Sequence, residues 1–215
     1  MLQAPGINPE TTEKTSQTSC DATELLIAGF DEVGRGALAG PVAVGCVHFD
    51  ALSDPGRLTG LDDSKRLAPK KREVLYERIC ALSEWGVGWV SNSMIDRYGI
   101  VSALTLAARR AYRAMGQRAD LLLFDRGLSL QSASAFSEPQ RYKELAFTKG
   151  DARSLHIAAA SILAKVSRDR AMTRIHACFP GYDFDRNKGY GTAGHLAALR
   201  RLGPSSIHRR SFRLT

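Results

Sequence analysis

The stretch LLIAGFDEVGRGALAGPVAVGCVHF, residues 25–49, decides the fold. Its apolar run Leu25–Phe30 and the run Val42–Phe49, in which Val42 and Val44 alternate, read as two strands, and the glycine-rich connection between them suits a hairpin. The first run leads straight into Asp31-Glu32, two adjacent carboxylates at the end of a buried strand. Glycines after a strand also invite a dinucleotide-binding reading. However, Pro41-Val42-Ala43-Val44 favours a strand where that motif needs a helix, and Asp31-Glu32 would repel a pyrophosphate. A glycine-flanked backbone that approaches a nucleic-acid sugar and phosphate, with Arg35 adding charge, suits Gly34-Arg35-Gly36 better.

Beyond this stretch, Pro69–Leu82 carries Val74, Leu75, Ile79 and Leu82 at helical spacing, and Val87–Val90 is strand-like. Val101–Met115 is predicted as a basic amphipathic helix, with Leu104, Ala108, Ala111 and Met115 on one side and Arg109, Arg110 and Arg113 on others. Leu121–Phe124 reads as a buried strand that ends at Asp125. After a loop from Arg126 to Tyr142, Leu145–Phe147 is a short strand. Ser154–Arg170 is a helix whose Ala158, Ala159, Ala160 and Ala164 let it lie close on a sheet. Strands in meander order, followed by strands alternating with helices, predict an α/β fold with a mixed central sheet flanked by helices and a small, mostly helical C-terminal part. The expected organisation is a flexible leader over residues 1–22, a catalytic domain over 23–170 and a basic, substrate-binding helical part over 171–215.

Composition agrees with one soluble globular unit. The chain has 215 residues and 23.4 kDa, with 44% hydrophobic and 24% charged residues, which excludes collagen, coiled coil and global disorder. No apolar run approaches the roughly 18 residues of a membrane span, and the polar start of the chain has no signal core. The net charge is +8 and the pI about 9.6, which favours a polyanionic partner. Residues 186–215 concentrate that charge in Arg186, Lys188, Arg200, Arg201, Arg209, Arg210 and Arg213, without an acid among them. The scattered Cys20, Cys46, Cys80 and Cys178 fit a reducing cytosol and no zinc or redox motif. His48, His156, His176, His195 and His208 lack metal-ligand spacing and read as surface or core residues. There is no serine-hydrolase elbow.

Four carboxylates remain: Asp31, Glu32, Asp125 and Asp151, the last between Lys149-Gly150 and the helix from Ser154. Taken singly, each has a plain reading. Asp31-Glu32 before Gly-Arg-Gly suits a polar turn, Asp125 starts one, and Asp151 caps a helix. If their strands are neighbours, however, strand ends lie about 5 Å apart and the acids converge. Such a cluster is tolerated mainly around a cation, and oxygen-only ligands favour Mg²⁺ or Mn²⁺. Two such ions about 3.5 to 4 Å apart activate a water and stabilise the leaving oxygen in phosphodiester cleavage. Asp63-Ser64-Lys65, ahead of a helix, is a further phosphate-binding candidate through Ser64 and Lys65, or a plain cap.

These residues, in this order, resemble the ribonuclease HII family, the bacterial type 2 ribonucleases H. The likeness spans Ile27 to Phe212. It runs through Asp31-Glu32-Val33-Gly34-Arg35-Gly36, Asp63-Ser64-Lys65, Asp125, Lys149-Gly150-Asp151 and Ile157 to Val166 with Arg168-Asp169. It continues through Asn187-Lys188-Gly189-Tyr190-Gly191-Thr192 and His208-Arg209-Arg210-Ser211-Phe212. The resemblance implies a ribonuclease H-like fold and endonucleolytic hydrolysis of RNA in RNA-DNA hybrids, including single ribonucleotides embedded in duplex DNA. It also implies 3′-hydroxyl and 5′-phosphate ends. By similarity Asp31, Glu32, Asp125 and Asp151 are catalytic, and Asp31, Glu32 and Asp125 hold Mn²⁺ or Mg²⁺. Gly34-Arg35-Gly36 looks like the sensor of the ribose 2′-hydroxyl, and Tyr190 like the tyrosine that packs on the adjoining deoxyribose. A cytoplasmic monomer without a membrane partner is the expectation. The chain departs from many bacterial members in reading Asp125-Arg126-Gly127, where they have glycine directly after the third acid.

Overall fold

The computed structural model describes residues 25–49, 60–61, 67–131 and 142–214. The leader and Ser64-Lys65 lie outside the described residues. Strands β1 (Ile27–Val33) and β2 (Val42–His48) form the expected hairpin, antiparallel with Asp31 opposite Gly45 and Glu32 opposite Val44. The first strand is therefore longer than its apolar run. Cross-strand pairing carries it through both acids to Val33, where sequence polarity alone suggested a stop. Helix α1 (Pro69–Leu82) follows, with proline in its first turn, where a missing N–H costs nothing. Strand β3 (Glu84–Val90) pairs antiparallel with β2 along its whole length, so it starts three residues before the apolar run.

Helix α2 (Asn92–Met115) begins well ahead of the predicted Val101, because Ser91 caps its N-terminus and Gly99, at φ 78°, joins two helical segments across a kink. It ends at Gly116 in the left-handed region, a glycine stop. Strands β4 (Leu121–Asp125) and β5 (Lys143–Phe147) add to β1 in parallel, giving the sheet order β3-β2-β1-β4-β5. Helix α3 (Leu155–His176) is capped by the Ser154 hydroxyl, so the cap role open to Asp151 falls to Ser154. It extends past Arg170 because apolar Met172 continues its buried stripe. Short α4 (Phe184–Asn187) and α5 (Ala193–Leu202) complete the chain. Among the described residues no helix is long and apolar enough to cross a membrane.

The sheet is covered on both faces. Phe30, Val44, Leu122 and Phe124 pack on α2, with Phe30 and Phe124 stacked at 4.6 Å, while Val47 packs with α1 and α3. Close approach depends on glycines in the sheet facing alanines in the helices. A Cβ on Gly45 would strike the Ala160 carbonyl oxygen, and one on Gly88 would strike the Ala107 carbonyl and lie 2.5 Å from the Ala111 nitrogen. Backbone cannot swing aside as a side chain can. Gly88→Ala is therefore expected to destabilise the protein by about 3 kcal/mol and lower its melting temperature by roughly 6 to 12 °C. An unchanged thermal unfolding curve would mean that α2 does not seat on β3 this closely.

The C-terminal part has its own apolar cluster of Ala39, Met172, Tyr182, Phe184, Ala198 and Leu199. It is tied to the segment after β1 by backbone bonds: Leu38 and Ala39 donate to the Gly189 carbonyl, Gly40 donates to Ile207, and Arg209 donates to Leu38. The turn after β1 and the residues around Tyr190 are thereby held as one surface.

Candidate active site

The parallel ladder between β1 and β4 runs to Phe30 opposite Phe124, so Asp31 and Asp125 are the next residues at the same strand ends. Strand spacing brings their carboxylates together. Ligand oxygens of Asp31, Glu32 and Asp125 all lie within 4.8 Å of one another. Each carboxylate has a local tether. The Asp31 Oδ1 accepts the Glu32 N–H at 2.8 Å, Asp125 Oδ1 accepts the Gly150 N–H at 2.9 Å, and Arg35 Nη1 lies 3.5 Å from Glu32 Oε1.

This cluster is unfavourable as it stands. Burial pushes the Asp31 carboxyl up to about 8, the Glu32 charge adds to the push, hydrogen bonds from Ser161 and the Glu32 N–H oppose it, and Asp125 adds further repulsion. Burial raises Glu32 as well, with Arg35 pulling the other way and Asp125 pushing up. Glu32 Oε2 is buried and has no hydrogen-bond partner. An all-oxygen donor set with excess negative charge and an orphaned carboxylate oxygen fits a divalent cation. Asp31, Glu32 and Asp125 would hold it.

Asp151 sits in a 3-10 turn (Gly150–Ala152), partly buried, with Oδ1 accepting the Ala152 N–H at 3.0 Å. It is one residue from the Gly150 N–H that binds Asp125, but outside the group of three converging acids. Lys149, just ahead, takes a left-handed φ of 56° to turn the chain into this position. After the third acid, Arg126 is exposed and Gly127 has φ 96°, with the Arg35 guanidinium 2.8 Å from where a Cβ would stand. The positive φ favours glycine at 127.

The Gly34-Arg35-Gly36 turn follows the acids directly. Gly34 has φ 86° and no room for a Cβ, because the Arg168 guanidinium fills that space. Its N–H donates to the Tyr190 hydroxyl at 3.1 Å. Gly36 is exposed and has nothing within 4 Å of a built Cβ, so packing inside the protein does not demand its lack of a side chain. The structure thus brings Asp31, Glu32, Asp125, Gly34, Arg35, Gly36 and Tyr190 together at the C-terminal end of the central strands β1 and β4.

Two arginines behind these strand ends escaped the sequence reading as supports. Arg168 and Arg209 are fully buried. Arg168 donates to the carbonyls of Pro41, Lys188 and Ala39, and its guanidinium lies 5.4 Å from the Tyr190 ring centroid. Arg209 donates to the Gly40 and Arg35 carbonyls. Burial and then the Arg168 charge push Arg209 down to about 9. One signal pointed to Arg168: it continues the Ala160-Ala164 row of α3 at four-residue spacing, on the face turned to the sheet.

Known proteins resemble the chain in both sequence and structure. The sequence model of the family described as Ribonuclease HII matches residues 28–215. Ribonuclease HII of Syntrophotalea carbinolica is 45% identical over 188 residues, covering 87% of this chain and 85% of that protein. Among solved structures, the chain resembles one from the PCNA:RNase HII complex of Archaeoglobus fulgidus. That likeness has a TM-score of 0.71 and 26% identity, and covers 89% of this chain and 96% of that one. It also shares the fold of Bst-RNase HIII, solved in complex with Mn²⁺, with a TM-score of 0.67 at 16% identity, covering 88% of this chain and 68% of that one. With its acids, turn and tyrosine at the ends of the central strands of a ribonuclease H-like sheet, the chain belongs to the ribonuclease HII family, the metal-dependent endonucleases that hydrolyse RNA in RNA-DNA hybrids.

Proposed function

We propose that this endonuclease also incises on the 5′ side of a single ribonucleotide in duplex DNA, leaving 3′-hydroxyl and 5′-phosphate ends. The observation that carries the reading is the bond from Gly34 to the Tyr190 hydroxyl, which holds a sugar-sized aromatic surface beside an exposed glycine turn next to the acids. Asp31, Glu32 and Asp125 are the metal ligands in this reading, and Asp151, on the turn bonded to Asp125, completes the catalytic set. Bound divalent cations supply an activated water and charge for the leaving oxygen. Mn²⁺ or Mg²⁺ suits the all-oxygen donors, and the structurally similar RNase HIII was solved with Mn²⁺.

The protein groups do the positioning. The Gly34-Arg35-Gly36 backbone reads the ribose 2′-hydroxyl at the opening left by Gly36, and Arg35 sets its charge toward the phosphate while restraining Glu32. Tyr190 packs against the deoxyribose beyond the junction. Exposed Arg186, Arg200, Arg201, Arg210 and Arg213 of the 171–215 part bind duplex phosphates in a salt-dependent way. Ser64 and Lys65 are proposed to add a phosphate contact, and the protein to act as a cytoplasmic monomer.

The test is cleavage of a labelled duplex that carries one ribonucleotide, with Mn²⁺, Mg²⁺ or EDTA, beside an all-DNA duplex. The expected result is one metal-dependent cut 5′ of the ribonucleotide with the control intact. Equal cutting of the control would remove the sensing role of Gly34-Arg35-Gly36.

A further inference from the structure

We infer that His195 and His208 form a buried, tautomer-locked relay that fixes the backbone of Tyr190 and so holds its ring against the Gly34 turn. They are positioning residues of the junction-reading site, and this role rests on the reading of Tyr190 above.

The geometry determines where each proton sits. His195 and His208 are 0% and 1% exposed, and their Nε2 atoms face each other at 3.0 Å, so this contact carries one proton between two nitrogens. Ser205 meets His208 Nδ1 twice, with its backbone N–H at 2.9 Å and its hydroxyl at 2.8 Å; the hydroxyl can donate or accept, but the N–H can only donate. His208 Nδ1 is therefore an acceptor, and the His208 proton is on Nε2, where it is donated to His195 Nε2. That leaves the His195 proton on Nδ1, which lies 2.9 Å from the Tyr190 carbonyl oxygen. Every donor in the chain Ser205, His208, His195, Tyr190 has an acceptor, and the direction is set by a backbone N–H that cannot reverse.

The relay ends on a residue held at both ends. The Tyr190 carbonyl takes the His195 proton, and its hydroxyl takes the Gly34 N–H at 3.1 Å. The Tyr182 and Phe184 rings box the pair, at 5.0 Å from His208 and 5.3 Å from His195 respectively. Burial pushes His208 down to about 4, with the His195 ring adding to the effect, and burial lowers His195 too. Both shifts disfavour the charged imidazolium, in keeping with the single proton shared between the two Nε2 atoms. A packing role alone would be met by two apolar rings. The donor aimed at Tyr190 is what the imidazoles add.

The test combines a spectroscopic signature with a selectivity ratio. Long-range proton-nitrogen NMR on the full chain with labelled histidine should show His208 protonated on Nε2 and His195 on Nδ1, the less common tautomer. Protonation of His195 on Nε2, or a charged ring at pH 7, would overturn the relay whatever the enzyme does. His195→Phe keeps an aromatic ring in the box and removes the donor. It is expected to lower kcat/KM on the single-ribonucleotide duplex about 10-fold or more, and on a long hybrid less than about threefold. His195→Asn, whose amide nitrogen can reach the same carbonyl, should recover most of the loss. Equal losses on both substrates, or no rescue by asparagine, would reduce the pair to packing and overturn the positioning role. A wild type that cuts neither substrate would sink the junction reading and this role with it, while the nitrogen shifts would still decide the relay.

Discussion

Asp125→Asn is expected to lower turnover on an RNA-DNA hybrid by at least about 10³-fold while leaving affinity for the uncut duplex in EDTA within about threefold. The amide keeps an oxygen that can accept the Gly150 N–H, so the β4 terminus and the turn carrying Asp151 retain their anchor. The change removes one of three negative charges converging within 4.8 Å. In the proposed reading the basic side chains and the Gly34-Arg35-Gly36 backbone bind the substrate phosphates, and a less negative site repels them less. Chemistry should therefore fail where binding does not. Single-turnover kinetics in saturating Mn²⁺ with a parallel filter-binding titration separates the two, and wild-type turnover by the variant would rule out Asp125 as a metal ligand.

The second large effect concerns stability. Asp31→Asn is expected to make the metal-free protein more stable at pH 8, by on the order of 3 kcal/mol, raising its melting temperature by roughly 6 to 12 °C. The folded-state pKa of Asp31 is raised from 3.8 to about 8, chiefly by burial and then by Glu32. The folded protein thus holds this proton more tightly than the unfolded chain. The stability Asp31 contributes is fully present below about pH 4 and is lost as the pH rises through about 8. Asparagine never ionises, so its advantage should be absent near pH 4, grow with pH and level off above 8. Mn²⁺ should reverse the order, stabilising the wild type more than the variant, because a ligand that binds only the folded state stabilises it by mass action. Thermal scans between pH 4 and 9, in EDTA and again with Mn²⁺, would show both effects. Equal melting temperatures at pH 8 would mean that burial and the neighbouring acids do not strain the Asp31 carboxylate.

Both effects arise because the fold concentrates like charges at the ends of two neighbouring central strands. Part of this was legible in the sequence. Asp31-Glu32 after Leu25–Phe30 and Asp125 after Leu121–Phe124 read as strand-end acids, since apolar runs and the residues that end them are local signals. The alanines of α3 correctly signalled a helix lying close on the sheet, matched in the structure by Gly29 and Gly45. The ends of β1, β3 and α2 were less legible. Ladder pairing carried β1 through two acids, and a cap at Ser91 started α2 nine residues early across Gly99. Tertiary pairing and capping outweighed the local apolar pattern there.

By itself the sequence determined the order of elements, the class of fold and the identity of the acids, because period, glycine placement and residue chemistry are properties of short segments. Only the tertiary structure decided that β1 lies between β2 and β4, which turns Asp31, Glu32 and Asp125 from three separate polar residues into one cluster. It also decided that Arg168, Arg209, His195 and His208 are interior. A charged or imidazole side chain in sequence reads as solvated, and its burial depends on distant carbonyls and rings. Those partners are the Ala39, Gly40 and Pro41 carbonyls and the Tyr182 and Phe184 rings, which folding alone brings within reach.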